Sequence, residues 1–433
     1  MRTMSRLPGH LVWKIVRANS RERLRLWMQV APEYGDLIHA KIGSTQFYLL
    51  NHPDLVQAAL VTNAEQVRPI KLGERVRPPN IEQVTADKLD HRRWRKLIQP
   101  YFQPRQLAQY IPTMVSYTEA MLDSWKPGEV RDLGADMAVL TLRIVARALF
   151  DSDVSDTQDA FSRAVTLGSE FLARGNLIPL PTPRNLRLLN AWMTMDKTIK
   201  TIITARRADS EPKPDVLSTL LRAVDTEEGY RLSDEQAHGL ILALFIAGHE
   251  TTAIALTWAF ILLAQNPDVQ ERLHEELNRE LGERTPTADD MEALPYADWI
   301  IREAMRLYPP AWVLSRQTVH PFALDDAPIP ANALLLLSPY VIQRDARFFA
   351  DPLAFLPERW AEPDRVPRYA YFPFGGGAHV CIGQFFALAE AQFVLATIAQ
   401  RFRLELVTPA PIDVHPLITL RPQGTVNVRI VAR

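Results

Sequence analysis

The order of apolar and polar positions predicts a mainly helical chain with a small β portion. Near the start, Leu37 to Ile42 and Phe47 to Leu50 alternate with the two-residue period of a hairpin, and Pro53 to Leu60 follows as a helix. Ahead of them, Arg21 to Val30 reads as a basic surface helix. From about Asp90 to Ala264 the spacing is helical, interrupted at Pro179-Leu180-Pro181-Thr182-Pro183, a stiff connection. The longest helix is the best marked. Ser233 and Gln236 form a capping-box pattern, and the segment runs to Asn266-Pro267, where proline starts the next helix. At 1.5 Å per residue, roughly 32 residues span about 48 Å. Because this helix is apolar on nearly all sides, it is expected to cross the centre of the molecule.

Beyond it, Pro267 to Leu281 is a charged helix ending at Gly282, and Tyr296 to Leu307 is another that stops at Pro309-Pro310. Leu334 to Leu337 is the clearest of several short strands, and Gln384 to Phe402 is a long helix. Strand-like pieces at Arg403 to Val407 and Val426 to Val431 close the chain. No repeat or low-complexity tract divides it. A single domain is expected, with a β-rich part over about 35–60 and 310–340 and a helical part over about 90–310 and 383–402.

Composition narrows the function. With 49 basic and 50 acidic residues, nucleic acid is not the expected main partner. The N-terminal stretch is basic but has no apolar run long enough for a signal-peptide core or a membrane span, so a soluble, cytoplasmic protein without a transmembrane anchor is expected. The one cysteine, Cys381, excludes an intrachain disulfide framework and all-cysteine metal sites within one chain. It lies in Phe372-Pro373-Phe374-Gly375-Gly376-Gly377-Ala378-His379-Val380-Cys381-Ile382-Gly383, just before a predicted helix. A helix N-terminus favours thiolate over thiol, so the residue is a metal ligand or a nucleophile.

Three further constellations carry chemistry. Ala247-Gly248-His249-Glu250-Thr251-Thr252 interrupts the apolar central helix. It reads either as a local kink, with the threonines bonding back to the preceding turn, or as a widened turn beside a small ligand, with Glu250 and Thr251 managing protons. Adjacent helical residues point about 100° apart, so one of the pair would face the site and the other a route to solvent. Glu303 and Arg306, at i and i+3 on an apolar helix, form an ion pair, and Arg359 in Pro357-Glu358-Arg359-Trp360 is a further partner if the pair is buried. Asp90-His91-Arg92-Arg93-Trp94-Arg95-Lys96-Leu97 reads either as a solvated basic helix face or, with His91 and Arg95 at i and i+4, as a two-pronged anion site to which Arg316 and His379 would add donors.

Together Phe374-x-x-Gly377-x-His379-x-Cys381-x-Gly383, Glu303-x-x-Arg306, Pro357-Glu358-Arg359-Trp360 and Ala247-Gly248-x-Glu250-Thr251-Thr252 resemble the haem-thiolate monooxygenases, the cytochrome P-450 superfamily. One position varies from the commonest form: His379 stands where arginine is more usual, as in some soluble bacterial members. The resemblance implies haem b between the central helix and the helix after the cysteine loop. Cys381 would be the axial iron ligand, with Phe374, Gly375 and Gly383 in its loop and Ala247 beside the haem. His91, Arg95, Arg316 and His379 would bind the propionates, Trp94 being a further donor. Glu303, Arg306 and Arg359 would form a structural triad.

Thr251 would hydrogen-bond dioxygen while Glu250 relays protons, and one oxygen atom of O2 would enter a C–H or C=C bond of an apolar small molecule. Electrons, ultimately from NAD(P)H, would come through a separate ferredoxin or flavodoxin and its reductase, since the chain after Cys381 leaves no room for a redox domain. The basic face with Arg92, Arg93 and Lys96 would receive that partner. Val313, Leu314 and Ile418 are pocket candidates, along with walls at about Arg68 to Lys88, Phe171 to Leu189 and after Pro310. A haem-thiolate isomerase or dehydratase, or a non-catalytic haem-binding protein, are the alternative readings.

Overall fold

The computed structural model describes residues 4–70, 88–174, 182–211, 213–222 and 232–433. It is mainly α with a small β portion, and it divides into two compact units. The first comprises Met1–Ile70, Arg302–Cys381 and Ile412–Gln423; the second comprises Lys71–Ile301, Ile382–Pro411 and Gly424–Arg433. The helix Pro295–Leu307 contributes to both.

The first unit is built on a six-stranded sheet in the order Met4–Arg6, Leu37–Ile42, Thr45–Leu50, Leu334–Leu337, Leu314–Thr318 and Val67–Pro69. The expected hairpin is present, with Leu37 opposite Leu50 and Ile42 opposite Thr45. Leu334–Leu337 then pairs in parallel with Phe47–Leu50. Because successive strand side chains point to opposite faces, Leu37, Tyr48, Leu50, Leu335 and Leu337 enter one apolar cluster, while Ile38, Ala40 and Leu49 enter another. The helix expected over Pro53 to Leu60 is α-helical only over Pro53–Gln57 and continues as a π turn, Ala58–Thr62. Arg21 to Val30 lies within the helix Ser20–Tyr34, which Asn19 and Glu22 close with a capping box.

The second unit is organised by the helix Asp234–Gln265, 32 residues long, whose Ser233 and Gln236 make both capping-box bonds. Twenty-one of its residues are buried, the helix packing against Leu133–Phe150 and Gln384–Arg401. Among the described residues it is the one helix long and apolar enough to cross a membrane, yet 67% of its most apolar window is buried inside the protein. The closing strands form a small sheet, Phe402–Leu406 with Asn427–Ala432 and then Val130–Asp132. The proline-rich connection up to Pro181 lies outside the described residues; Pro183 opens the helix Pro183–Ala208, capped by Thr182. Most of the expected wall at Arg68 to Lys88, and part of that at Phe171 to Leu189, also lie outside them.

A buried carboxylate fixes the start of the helix Pro295–Leu307. The N–H groups of Tyr296 and Ala297 donate to the two Glu276 oxygens at 2.8 and 3.1 Å. Burial pushes this carboxyl above the usual range, and the two N–H bonds oppose that shift. Removing the acceptor takes these two bonds from the first turn of the helix, where backbone N–H groups have no intrahelical acceptor. Glu276→Ala is expected to destabilise the protein by about 1–3 kcal/mol, read as a lower urea midpoint.

Candidate functional site

The cysteine loop belongs to the first unit and is braced by backbone bonds. Gly375 N–H donates to Phe372 O at 2.9 Å, Val380 N–H to Gly377 O at 3.1 Å, and Cys381 N–H to Phe374 O at 2.9 Å. Gly375 and Gly377 have φ of 74° and 66°, in the left-handed region that favours glycine. Gly377 is also sterically fixed: a Cβ there would stand 1.9 Å from the Leu60 carbonyl oxygen. At Gly376 a Cβ would stand 2.5 Å from the Tyr369 ring. The space beside these two glycines is therefore taken by Leu60 and Tyr369. Cys381 itself is exposed, two residues before Gly383, the N-cap of the helix Gln384–Arg401.

Behind the loop, the structure brings Glu303, Arg306 and Arg359 together. Glu303 and Arg306 are wholly buried and Arg359 nearly so. Arg306 Nε and Nη2 donate to the two Glu303 oxygens at 2.9 and 2.8 Å. Its remaining N–H groups reach the carbonyls of Gln343, Pro352 and Ala354 at 2.7–2.9 Å. All five guanidinium donors are thus used. Glu303 also accepts from Leu356 N–H, Arg359 Nε and Trp360 Nε1 at 2.9–3.1 Å. Gln343 links this network to the loop: its amide donates to the carbonyls of Met305 and Arg306, and its side-chain oxygen accepts from Phe372 N–H. Sequence reasoning missed Trp360 and Gln343 as members. Trp360 adjoins Arg359 in a motif already singled out, whereas Gln343 carried no signal.

Also in the first unit, Arg316 is buried, and the one hydrogen bond of its side chain among the described residues goes to the carbonyl of its neighbour Ser315, at 2.9 Å. No carboxylate lies within ion-pair reach of it among the described residues, and burial lowers its pKa. A desolvated guanidinium in this state is suited to an anion. Phe374 and His379 are half-buried in the cysteine loop. Leu314 and Val313 pack partly against the two sheet clusters, while Ile418 is 47% exposed in the turn between Val414–Pro416 and Leu420–Pro422.

In the second unit, Gly248 lets two helices approach: a Cβ there would stand 3.0 Å from a Val145 methyl. Thr141 Oγ1, on the same neighbouring helix, donates to His249 O at 2.9 Å. Thr251 Oγ1 donates to Ala247 O at 2.7 Å and Thr252 Oγ1 to Gly248 O at 3.1 Å, the back-bonding that the bland reading of this segment predicted. Ala247 is exposed, although it lies mid-way along a mostly buried helix. Glu250 is buried and accepts a long bond from Ser169 Oγ at 3.4 Å. Thr251 is the more exposed of the pair.

The helix Lys88–Ile98 carries His91 and Arg95 half-buried, with Arg92 and Lys96 exposed. Burial, then the nearby Arg95 and Arg92 charges, lower the His91 pKa. Trp94 meets His91 edge-on at 5.1 Å, and its buried Nε1–H has no hydrogen-bond partner among the described residues.

One residue here was not anticipated. Glu390, on the helix after the cysteine loop, is completely buried, and no hydrogen bond of ordinary geometry reaches either oxygen among the described residues. Burial pushes its carboxyl well above the usual range, and the adjacent Thr252 hydroxyl opposes this only in part. The signal was available, since Glu390 is the one carboxylate between Gln384 and Arg401.

Comparison with known proteins agrees with these motifs. The family model described as Cytochrome P450 matches residues 5–428. The cyclooctatin synthase of Streptomyces melanosporofaciens is 36% identical over 90% of this chain and 87% of its own length. The pentalenene oxygenase of Streptomyces avermitilis is 34% identical over 98% of this chain and 95% of its own. The cyclooctat-9-en-7-ol 5-monooxygenase of Streptomyces melanosporofaciens is 34% identical over 87% and 84%.

The buried Glu390 makes stability depend on pH. Its folded pKa lies above the unfolded value of about 4.5, so its contribution is fully present below that value and is lost as pH rises toward the folded pKa. Glu390→Gln keeps the shape and removes the titration. The stability of the variant relative to wild type is expected to rise with pH above about 4.5 and to level off below it, as thermal unfolding across pH would measure.

Proposed function

The chain belongs to the cytochrome P450 family and is a haem-thiolate monooxygenase, and we propose that it oxidises an alkene-bearing terpenoid hydrocarbon or the corresponding alcohol. The observation that carries the substrate class is similarity along nearly the whole chain to an enzyme named for pentalenene, joined by one named for cyclooctat-9-en-7-ol. The apolar side chains of Val313, Leu314 and Ile418, our pocket candidates in the first unit, suit such a ligand. The family match covers both compact units, which we read as one functional domain. We place the enzyme in the cytoplasm, where a lone cysteine stays reduced.

The residues present fit haem b. Cys381 is the one thiol, exposed in a braced loop, and its thiolate would hold the haem iron. For the haem carboxylates the first unit offers Arg316 and His379, and the second offers His91, Arg95 and Trp94. The desolvated Arg316 guanidinium and the unpartnered Trp94 Nε1–H are the groups that support this assignment. Haem iron, when bound, supplies the reductive activation of dioxygen.

The chain's own residues manage the rest. With haem bound, Phe374 would shield the sulfur from water, while the Glu303–Arg306–Arg359 network holds the loop through Gln343. Thr251 presents a hydroxyl whose proton is directed to Ala247 O, leaving its lone pairs able to accept and, after rotation, its proton able to donate. Glu250 receives protons through Ser169 Oγ and passes them toward Thr251. Electrons, drawn ultimately from NAD(P)H, arrive through an acidic ferredoxin or flavodoxin with its reductase, received on Arg92 and Lys96.

The ferrous–carbon monoxide spectrum tests the ligand. The purified protein is expected to give the red-shifted Soret band of thiolate ligation, and Cys381→Ser to lose it with all oxygenation. A band typical of histidine ligation in the wild type would remove the assignment. In a spin-shift screen, polycyclic terpene hydrocarbons and their alcohols should perturb the spectrum while linear fatty acids do not. The partner surface is tested separately: Arg92→Glu with Lys96→Glu should slow reduction by the donor about tenfold at low salt and leave the carbon monoxide spectrum intact.

A further inference from the structure

The helix Gly9–Arg17 has more apolar surface than the fold covers. At 100° per residue, Leu11, Ile15, Val12, Val16 and Trp13 follow one another around an arc of roughly 200°, and Arg17, His10 and Lys14 occupy the rest. Only part of that apolar arc is used. Leu11, Val12 and Ile15 pack partly against the cluster of Trp27, Val30, Ile38, Ala40 and Leu49. Val16 and Trp13, at the far edge, are 40% and 63% exposed, and no residue of the helix is buried. Met4, in the edge strand just before it, is 41% exposed.

The polar arc has one sign of charge. The helix contains no acid, and its basic residues lie at the margin of the exposed tryptophan, Arg17 standing over the Trp13 ring at 5.3 Å. Arg6 adds another exposed cation from the edge strand. Tryptophan places an apolar ring and a polar N–H at the boundary between water and hydrocarbon, and lysine and arginine extend toward anionic headgroups from the same level. A protein partner would not require a uniformly basic arc around an apolar ridge; a bilayer bearing anionic lipid does.

We infer that this helix docks the protein peripherally on an anionic phospholipid surface, with Trp13 and Val16 entering the headgroup boundary and Lys14 and Arg17 pairing with phosphates. The inference stands apart from the oxidation chemistry, because it uses no residue of that site. In sedimentation with vesicles at low salt, wild type is expected to bind those containing phosphatidylglycerol and not those of phosphatidylcholine alone. Lys14→Gln with Arg17→Gln should weaken that binding about thirtyfold, as two lost surface charges predict. Trp13→Gln should weaken it as well, and high salt should release the wild type. An unchanged carbon monoxide spectrum and circular dichroism spectrum would show that the variants are folded. The inference is overturned if wild type stays in solution with both vesicles, or if the charge variants bind undiminished. It is equally overturned if Trp13→Gln changes only the oligomeric state by light scattering, which would make a second copy the occupant of the ridge.

Discussion

Much of the first unit depends on one saturated ion pair. Glu303 and Arg306 lie wholly out of water, where an unpaired charge costs several kcal/mol. They are tolerable because nothing about them is left unpaired: five donors on the arginine and five incoming donors on the carboxylate are all matched. Their partners come from Gln343, Pro352, Ala354, Leu356, Arg359 and Trp360, so the pair ties an irregular stretch with little secondary structure of its own to a helix. Lysine could not replace the arginine, because three donors on a point charge cannot serve five positions in a plane. The cysteine loop inherits this rigidity through Gln343 and its own backbone bonds.

The central helix solves a different problem. It must carry an acid and two hydroxyls through an apolar interior without breaking. Both hydroxyls are returned to carbonyls one turn back, and the acid is screened by Ser169. Gly248 then has a packing reason as well as a chemical one, since Val145 occupies the place of a side chain. Glu390, from the helix after the cysteine loop, lies against Thr252 in a neutral-favouring environment, while Glu250 directly precedes Thr251 in sequence.

Elements with strong local signals were legible from sequence. The capping box at Ser233 fixed the start of the longest helix, and the alternation in Leu37 to Ile42 and Phe47 to Leu50 marked a hairpin. Less legible were features that depend on distant neighbours. The π turn at Ala58–Thr62 has no compositional mark, and the reason for Gly377 is the carbonyl of Leu60, more than three hundred positions earlier. Burial of Glu250 was hidden because it depends on Ser169 from another helix, while the exposure of Ile418 depends on a turn whose strands pair only locally.

The first unit is discontinuous in the chain, which has a consequence for its synthesis. The hairpin Leu37–Leu50 leaves the ribosome early, but its parallel neighbour Leu334–Leu337, and Gly377, which packs against the Leu60 carbonyl, follow only after Lys71–Ile301 has been made. At about 5–20 residues per second this delay is on the order of tens of seconds. Throughout it, Thr45–Leu50 presents an open edge of Phe47, Tyr48, Leu49 and Leu50, a segment of high β propensity and no charge. The nascent chain therefore has a defined interval of aggregation risk, closed not by local folding but by the arrival of a strand from the far side of the sequence.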